Sequence, residues 1–87
     1  MKHTIVMELR KNLAISDTGF VFDATSGESY SLNPIGLEIL THLKDGLKDE
    51  EIKEKILEKY DVDGSSFDLV YFDFIRTLQH FDLFERS

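Results

Sequence analysis

The sequence predicts an α+β fold in which a three-stranded antiparallel sheet precedes three helices. Between residues 12 and 32, apolar and polar side chains alternate with the period of strands, and turn residues interrupt the alternation twice. After residue 34, apolar residues recur every three or four positions, as they do in amphipathic helices. Asn33-Pro34 separates the two patterns, because Asn is a favoured N-cap and Pro suits the first helical position.

The composition indicates one small domain. The chain has 87 residues, of which 41% are hydrophobic, with a single Pro and no Cys. A chain of this length buries a modest core, and without Cys that packing alone must hold the fold. The lack of Cys also excludes a disulfide or thiolate site and favours a reducing compartment. We assign the domain to residues 12–87, and residues 1–11 to an N-terminal arm that is either extended or frayed.

Charge and hydropathy restrict the location and the partners. Glu8 follows the short apolar patch of residues 4–7 too closely for a signal peptide, and the longest apolar runs are only a few residues. We therefore expect a cytoplasmic protein. The net charge is −7 and is unevenly spread, since residues 61–87 carry six acidic residues against two arginines. Because DNA and anionic lipid are bound largely through Lys and Arg, we expect neither nucleic acid nor membrane as a partner.

The first two strands are short. Residues 12–16 are compatible with a strand that ends at the turn Asp17-Thr18-Gly19, where Gly can adopt positive φ. Residues 20–24 predict a half-buried strand. Its alternation separates one side, formed by Phe20, Phe22 and Ala24, from the other, formed by Val21 and Asp23.

The third strand follows a hairpin connection at residues 25–27 and covers residues 28–32. Its alternation places Tyr30 and Leu32 on one face and two serines on the other. The three strands are therefore predicted to form a small antiparallel meander.

Helix 1 is predicted over residues 34–44. Gly46 is placed to take the left-handed conformation that ends a helix. Gly36, in the first turn, lowers the helix propensity by roughly 1 kcal/mol relative to Ala. We expect it to permit the close approach of another backbone.

Helix 2 is predicted over residues 49–60, with Lys48 or Asp49 as its N-cap and acidic residues in its first turn, where the helix dipole favours them. Helix 3 is predicted from its N-cap Asp63 to about Phe81. Its apolar stripe makes it the predicted spine of the core. The stripe contains Phe67, Val70, Tyr71, Phe74, Leu78 and Phe81.

The order of the elements and the residues at their junctions resemble the PqqD-like family over about residues 12–85. The matching motifs are Tyr30-Ser31-Leu32-Asn33-Pro34-Ile35-Gly36, Leu43-Lys44-Asp45-Gly46, Glu50-Glu51-Ile52, Tyr60-Asp61-Val62-Asp63, and Phe74-Ile75 with Leu78. The family includes the pyrroloquinoline quinone biosynthesis protein D. The resemblance implies a fold like a winged helix-turn-helix.

The resemblance also implies a function. Family members recognise the leaders of ribosomally made, post-translationally modified peptides. This chain would then be a non-catalytic chaperone that presents a precursor peptide to a modifying enzyme, often a radical S-adenosylmethionine protein. The leader would add antiparallel to the third strand, in the groove beside helix 3. The implied peptide-binding residues are Glu28, Ser29, Tyr30, Ser31, Leu32, Leu69, Phe72, Asp73 and Arg76.

Three points stay open beside that resemblance. The flank of helix 3 that faces the peptide is not determined. Asp82 stands where relatives usually have Gly, a substitution that Asp tolerates in the left-handed conformation. Val70 occupies a position that is often acidic in relatives, so a polar contact to the leader is either missing or moved.

The sequence offers little for catalysis or metal binding. His3, His42 and His80 lack the spacing of a shared metal site. Ser65-Ser66 precedes an apolar run, which is a helix-start signal, and no base partner for a nucleophile is identifiable. We expect no enzyme activity and no cofactor.

Two other classes of function remain. A winged-helix DNA-binding regulator needs base-reading side chains on its recognition helix, where this chain has Asp68, Asp73, Arg76 and Gln79. A plain interaction or dimerisation module would use Leu69 and Phe72, which stand on the polar face of helix 3. Whether the chain is a monomer or a homodimer stays open.

Overall fold

The computed structural model describes residues 8–85, so most of the predicted arm lies outside the described residues. The elements are β1 (Leu13–Ile15), β2 (Phe20–Asp23), β3 (Glu28–Ser31), α1 (Pro34–Lys44), α2 (Asp49–Lys59) and α3 (Gly64–His80). The sheet is antiparallel with strand order β1-β2-β3. This confirms the predicted α+β fold, with element ends within one or two residues of those predicted. No helix between residues 8 and 85 is long and apolar enough to cross a membrane.

Local capping chemistry sets the helix starts. The side chain of Asn33 accepts a hydrogen bond from the backbone N–H of Gly36 at 2.7 Å, and Asp63 accepts one from Ser66 at 2.7 Å. Lys48 is the N-cap of α2, and its N–H donates to the carboxylate of Glu51 at 2.9 Å. The predicted caps of α1 and α3 are thus confirmed, and the open choice at α2 is settled.

Left-handed residues follow two of the helices. Gly46, after α1, has φ 86°, and Asp82, after α3, has φ 59°. Asp82 therefore takes the conformation that the resemblance implied for it. The carbonyl of Asp82 accepts from Arg10 Nε at 2.7 Å, and its carboxylate pairs with Arg10 Nη2 at 3.0 Å.

The core lies between the inner face of the sheet and the three helices. It includes segments from both ends of the described chain, since Leu9 forms an antiparallel bridge with Phe84. After α3 the chain folds back, and Leu83 and Phe84 are both buried. The buried apolar residues are Leu9, Leu13, Val21, Ile39, Leu40, Leu43, Ile52, Ile56, Phe67, Leu78, Leu83 and Phe84.

Gly36 makes room for a side chain. A Cβ built at this position would lie 3.3 Å from ring atom Cε1 of Phe74 and 3.1 Å from Asn33 Oδ1. The expected close approach of a backbone is therefore wrong. The ring of Phe74 occupies the space instead, which brings α3 against the first turn of α1.

The predicted core stripe of α3 is too wide. Phe67 and Leu78 are buried, but Val70 is 55% exposed and Phe81 is 42% exposed. The prediction that Val70 and Phe81 lie in the core is wrong, because α3 is covered on only part of its circumference. On the flank that carries these two residues, β3 contacts α3 through the ring pair of Tyr30 and Phe81.

Candidate functional site

The edge strand β3 presents backbone groups that point away from the sheet. The N–H of Leu32 donates to the carbonyl of Gly19 at 2.7 Å. Because hydrogen-bonded and non-bonded pairs alternate along an antiparallel ladder, the peptide groups of Tyr30 are also directed at β2. Those of Ser29 and Ser31 are therefore directed outward, where another strand can pair with them.

The other edge, β1, is partly occupied. Lys44 extends from α1, and its Nζ donates to the backbone carbonyl of Leu13 at 2.7 Å. The ladder bond between Ala24 and Asn12 places Leu13 in a non-bonded pair, so this carbonyl points away from β2. A side chain thus occupies a group that a further strand would need.

One flank of α3 faces β3. Its position is set by the rings of Tyr30 and Phe81, whose centroids lie 4.8 Å apart. Phe74 lies seven residues before Phe81, Thr77 lies between them, and Val70 lies four residues before Phe74. These spacings place all four on one flank of α3 and its C-cap. We call Val70, Phe74, Thr77 and Phe81 the sheet-side flank. We call the space between this flank and β3 the groove.

The five predicted strand residues lie at this groove or its rim. Glu28, Ser29 and Ser31 are exposed, whereas Tyr30 and Leu32 are half-buried. The O–H of Tyr30 donates to Glu28 Oε2 at 3.1 Å. Partial burial, and then the bond to the Glu28 carboxylate, raise the pKa of Tyr30 above its usual value. Tyr30 is thus a neutral donor on the inner face of β3.

The helix residues predicted for the site are divided between two flanks. Phe72 lines a hollow of about 420 Å³ between α2 and α3, on the side away from β3. The guanidinium carbon of Arg76 lies 5.9 Å from the centroid of the Phe72 ring. Asp73 lies three and four positions from Val70 and Thr77, so it borders the sheet-side flank, and the largely exposed Leu69 lies next to Asp73 on the outer surface.

Polar contacts at the rim of this hollow link α2 to α3. Tyr71 O–H donates to Asp49 at 2.5 Å, and Lys53 pairs with Asp68 at 2.8 Å. Burial, followed by the bond to Asp49, raises the pKa of Tyr71. These contacts hold the two helices together. Within residues 8–85, no group of three or more His, Asp or Glu side chains is arranged to hold a metal ion.

Sequence reasoning missed Val70, Thr77 and Phe81 as groove residues. Two of them fall in the apolar stripe of α3, which predicts a place in the core. The signal that could have found the flank was Val70, because the resemblance described above implies an acidic residue at its position, which is not typical of a core.

Comparisons with known proteins agree with the fold. The sequence profile of the family described as coenzyme PQQ synthesis protein D (PqqD) matches residues 18–80. No curated protein sequence matches. A solved structure described as TbiB1 in complex with the TbiA(β) leader peptide is similar with 26% identity and a TM-score of 0.81, over 93% of this chain and 98% of that one.

A second solved structure has the same fold. It is described as a lasso peptide synthetase B1 complexed with the leader peptide, and its identity to this chain is 20%. The TM-score is 0.76, over 95% of this chain and 100% of that one.

Proposed function

The chain belongs to the PqqD family, and we propose that it is a non-catalytic protein that binds the leader of a ribosomally made precursor peptide. The observation that carries the proposal is the outward direction of the Ser29 and Ser31 peptide groups on β3, which no other strand of residues 8–85 pairs on that side. The similar TbiB1 structure, which contains a leader peptide, supports the same assignment.

The proposed mechanism is strand addition. An extended leader pairs antiparallel with β3 and exchanges N–H···O=C hydrogen bonds with Ser29 and Ser31. Its alternate side chains then point inward, into the groove between β3 and the sheet-side flank. We propose that the five residues 28–32 and Asp73 contact the peptide, with Val70 and Thr77 added from the flank. Leu69, Phe72 and Arg76 stay predicted peptide contacts. Because they lie outside the sheet-side flank, variants at these residues test this prediction independently.

The second part of the proposal concerns the partner enzyme. A bound leader would bring the rest of the precursor to an enzyme that modifies it, in this family often a radical S-adenosylmethionine protein. The redox chemistry and its iron–sulfur cluster would belong to that enzyme, and we propose no cofactor for this chain. Its own contribution is to order the leader, which lowers the entropy loss of the enzyme's encounter with the precursor.

Titration with a leader tests the proposal. The probe is the leader of a precursor encoded beside this gene, added to isotopically labelled protein, with the backbone amide NMR signals as the readout. We expect the amides of residues 28–32 and of the sheet-side flank to shift together. Unchanged signals at high leader concentration would refute binding of that peptide, and shifts confined to α2 and Phe72 would refute strand addition.

A dimerisation module is the second candidate function. It is favoured by the exposure of Leu69 and Phe72 on the outer surface of α3. Sedimentation of the protein with and without the leader distinguishes the two, because a dimerisation module associates without peptide. Asp68 and Asp73 on the exposed surface of α3 argue against the DNA-binding alternative.

A further inference from the structure

The outer face of the sheet carries two exposed phenylalanines, and within residues 8–85 their neighbours on the adjacent strands are small. In the β2–β3 register, Phe20 lies opposite Ser31 and Phe22 lies opposite Ser29. Paired residues in an antiparallel ladder point to the same face. Val21, between the two phenylalanines, points into the core, so the helices pack on the opposite face.

The neighbours on the β1 side are equally small. Ala14 lies opposite Phe22, and the N–H of Ser16 donates to the carbonyl of Phe20 at 2.8 Å. The two rings therefore stand between rows of Ala and Ser. Phe20 is 56% exposed and Phe22 is 46% exposed, although β2 is the central strand of the sheet.

Burial on the inner face explains why the phenylalanines are outside. Asp23 has the same facing as Val21 and is buried, where it accepts hydrogen bonds from Asn12 Nδ2 and Thr25 N–H, each at 2.9 Å. A one-residue shift of β2 would place Phe20 and Phe22 inside but would remove this arrangement. The exposure of the rings is thus fixed by the register of the sheet.

The geometry of strand addition connects this face to the peptide. A strand added to β3 forms its hydrogen-bonded pairs opposite Ser29 and Ser31, and the two peptide residues in those pairs point to the outer face. Neighbouring strands lie about 4.8 Å apart, and β3 lies between the added peptide and β2. A peptide side chain and a phenylalanine ring therefore each need to reach across about 4.8 Å to meet above a serine of β3. Serine at both positions leaves that space open.

We infer that the outward-facing residues of the bound peptide are large and apolar and that they pack on Phe22 and Phe20 across Ser29 and Ser31. This inference rests on the proposed strand addition and adds a selectivity for the side of the peptide that faces away from α3. The preferred peptide has aromatic or long aliphatic residues at two positions separated by one residue. The first of them lies opposite Ser31, and the residue between them faces the groove.

Selection from a random library tests this even where the natural leader is unidentified. A phage-displayed library of random peptides, each about fifteen residues long, is selected on the wild-type protein and on the double variant Phe20→Thr/Phe22→Thr. Thr keeps the β propensity of the strand and removes the rings. We expect large apolar residues two positions apart to be enriched on the wild type and not on the variant.

Affinity measurements on one selected peptide complete the test. Replacing both enriched residues by Ser is expected to weaken binding to the wild type about tenfold, and to the Thr variant less than about twofold. The matched control is Phe20→Leu/Phe22→Leu, which retains apolar contact and should retain the preference. Amide NMR spectra of the free variants confirm the fold, and contacts from the peptide to Ser29 and Ser31 establish the register.

Failure of the inference differs from failure of the proposed function. If selected peptides shift the β3 amides but show no such preference, or show it equally with the Thr variant, the inference is wrong while strand addition stands. If no selected peptide perturbs residues 28–32, the proposed function itself fails, and the inference fails with it.

Discussion

The two edges of the sheet differ in how their outward backbone groups are used. On β1, the ammonium group of Lys44 occupies the outward carbonyl of Leu13. On β3, two small serines direct their peptide groups outward, beside a groove with apolar walls. Exposed edges tend to pair with any available strand, and a lysine at an edge is a common means of preventing this. Among the described residues, Lys44 blocks part of the β1 edge, whereas no strand pairs with the β3 edge. Such a sheet can accept a strand at β3 without becoming a general template for aggregation.

A proline in β3 should have the largest effect on leader binding. Ser29→Pro removes an outward N–H and places a ring where the added strand would lie, so we expect leader binding to weaken at least about 100-fold. The domain should stay folded, because that N–H is not directed at β2. Calorimetric titration measures the loss. Tyr30→Pro is the contrasting variant, since its N–H is directed at β2 and its loss should unfold the sheet. Normal binding by Ser29→Pro would show that the peptide does not use β3.

A charge on either flank of α3 should show which flank borders the peptide. Val70→Asp introduces a carboxylate on the sheet-side flank, and we expect roughly tenfold weaker binding from the cost of desolvating it. Phe72→Asp should weaken binding less and leave the domain folded, because Phe72 is largely exposed on the flank that faces α2. Parallel titrations of the two variants give the comparison. A larger loss for Phe72→Asp would place the peptide over the hollow between α2 and α3.

Removing the Lys44 contact from the edge of β1 should have a smaller effect than the changes at β3 and α3, and it should act on stability and not on binding. Lys44→Met abolishes the bond to the Leu13 carbonyl and should lower the free energy of unfolding by about 1 kcal/mol, with leader affinity unchanged. Urea denaturation measures this. The matched control is Lys55→Met on the exposed surface of α2, which should be near neutral. Equal stability of the two variants would mean that the Lys44 bond does not stabilise the edge.

The smallest predicted effect is on the pH dependence of stability and concerns the N-cap of α3, the helix that lies beside β3. Hydrogen bonds from the Ser66 backbone N–H and the Ser65 hydroxyl lower the pKa of Asp63 below its usual value of 3.8. A lowered folded-state pKa means that the cap stabilises the fold above the usual value and that this contribution is lost as the pH falls through the folded pKa. Urea midpoints measured across acidic pH should show it. In Asp63→Asn, which retains a capping side chain, that part of the pH dependence should disappear.

Most of the fold was predictable because its signals are local. Asn33 and Asp63 cap helices through side chains that reach only three residues along the chain. Gly46 ends a helix through its own backbone conformation. For the same reason, the alternation in β2 and β3 identified which residues share a face of the sheet. Such features do not depend on which other element lies nearby.

The parts that sequence reasoning missed depend on distant contacts. The alternation placed Phe22 and Asp23 on opposite faces of β2. It did not show which face is buried, because Asn12 and Thr25, which hydrogen-bond to Asp23, lie outside β2. Val70 belongs to an apolar stripe, yet its burial depends on how much of α3 the sheet covers. The position of the groove therefore required the contact between Tyr30 and Phe81, which joins residues far apart in the chain.

The absence of a side chain at Gly36 also bears on the depth of the groove. Because nothing larger than hydrogen is present there, the ring of Phe74, a member of the sheet-side flank, rests on the first turn of α1. A methyl group at residue 36 would move this ring or the helix that carries it. The space available to an inward-facing peptide side chain is thus set on α1, by a residue of the strand–helix junction, one layer behind the surface that the peptide would contact.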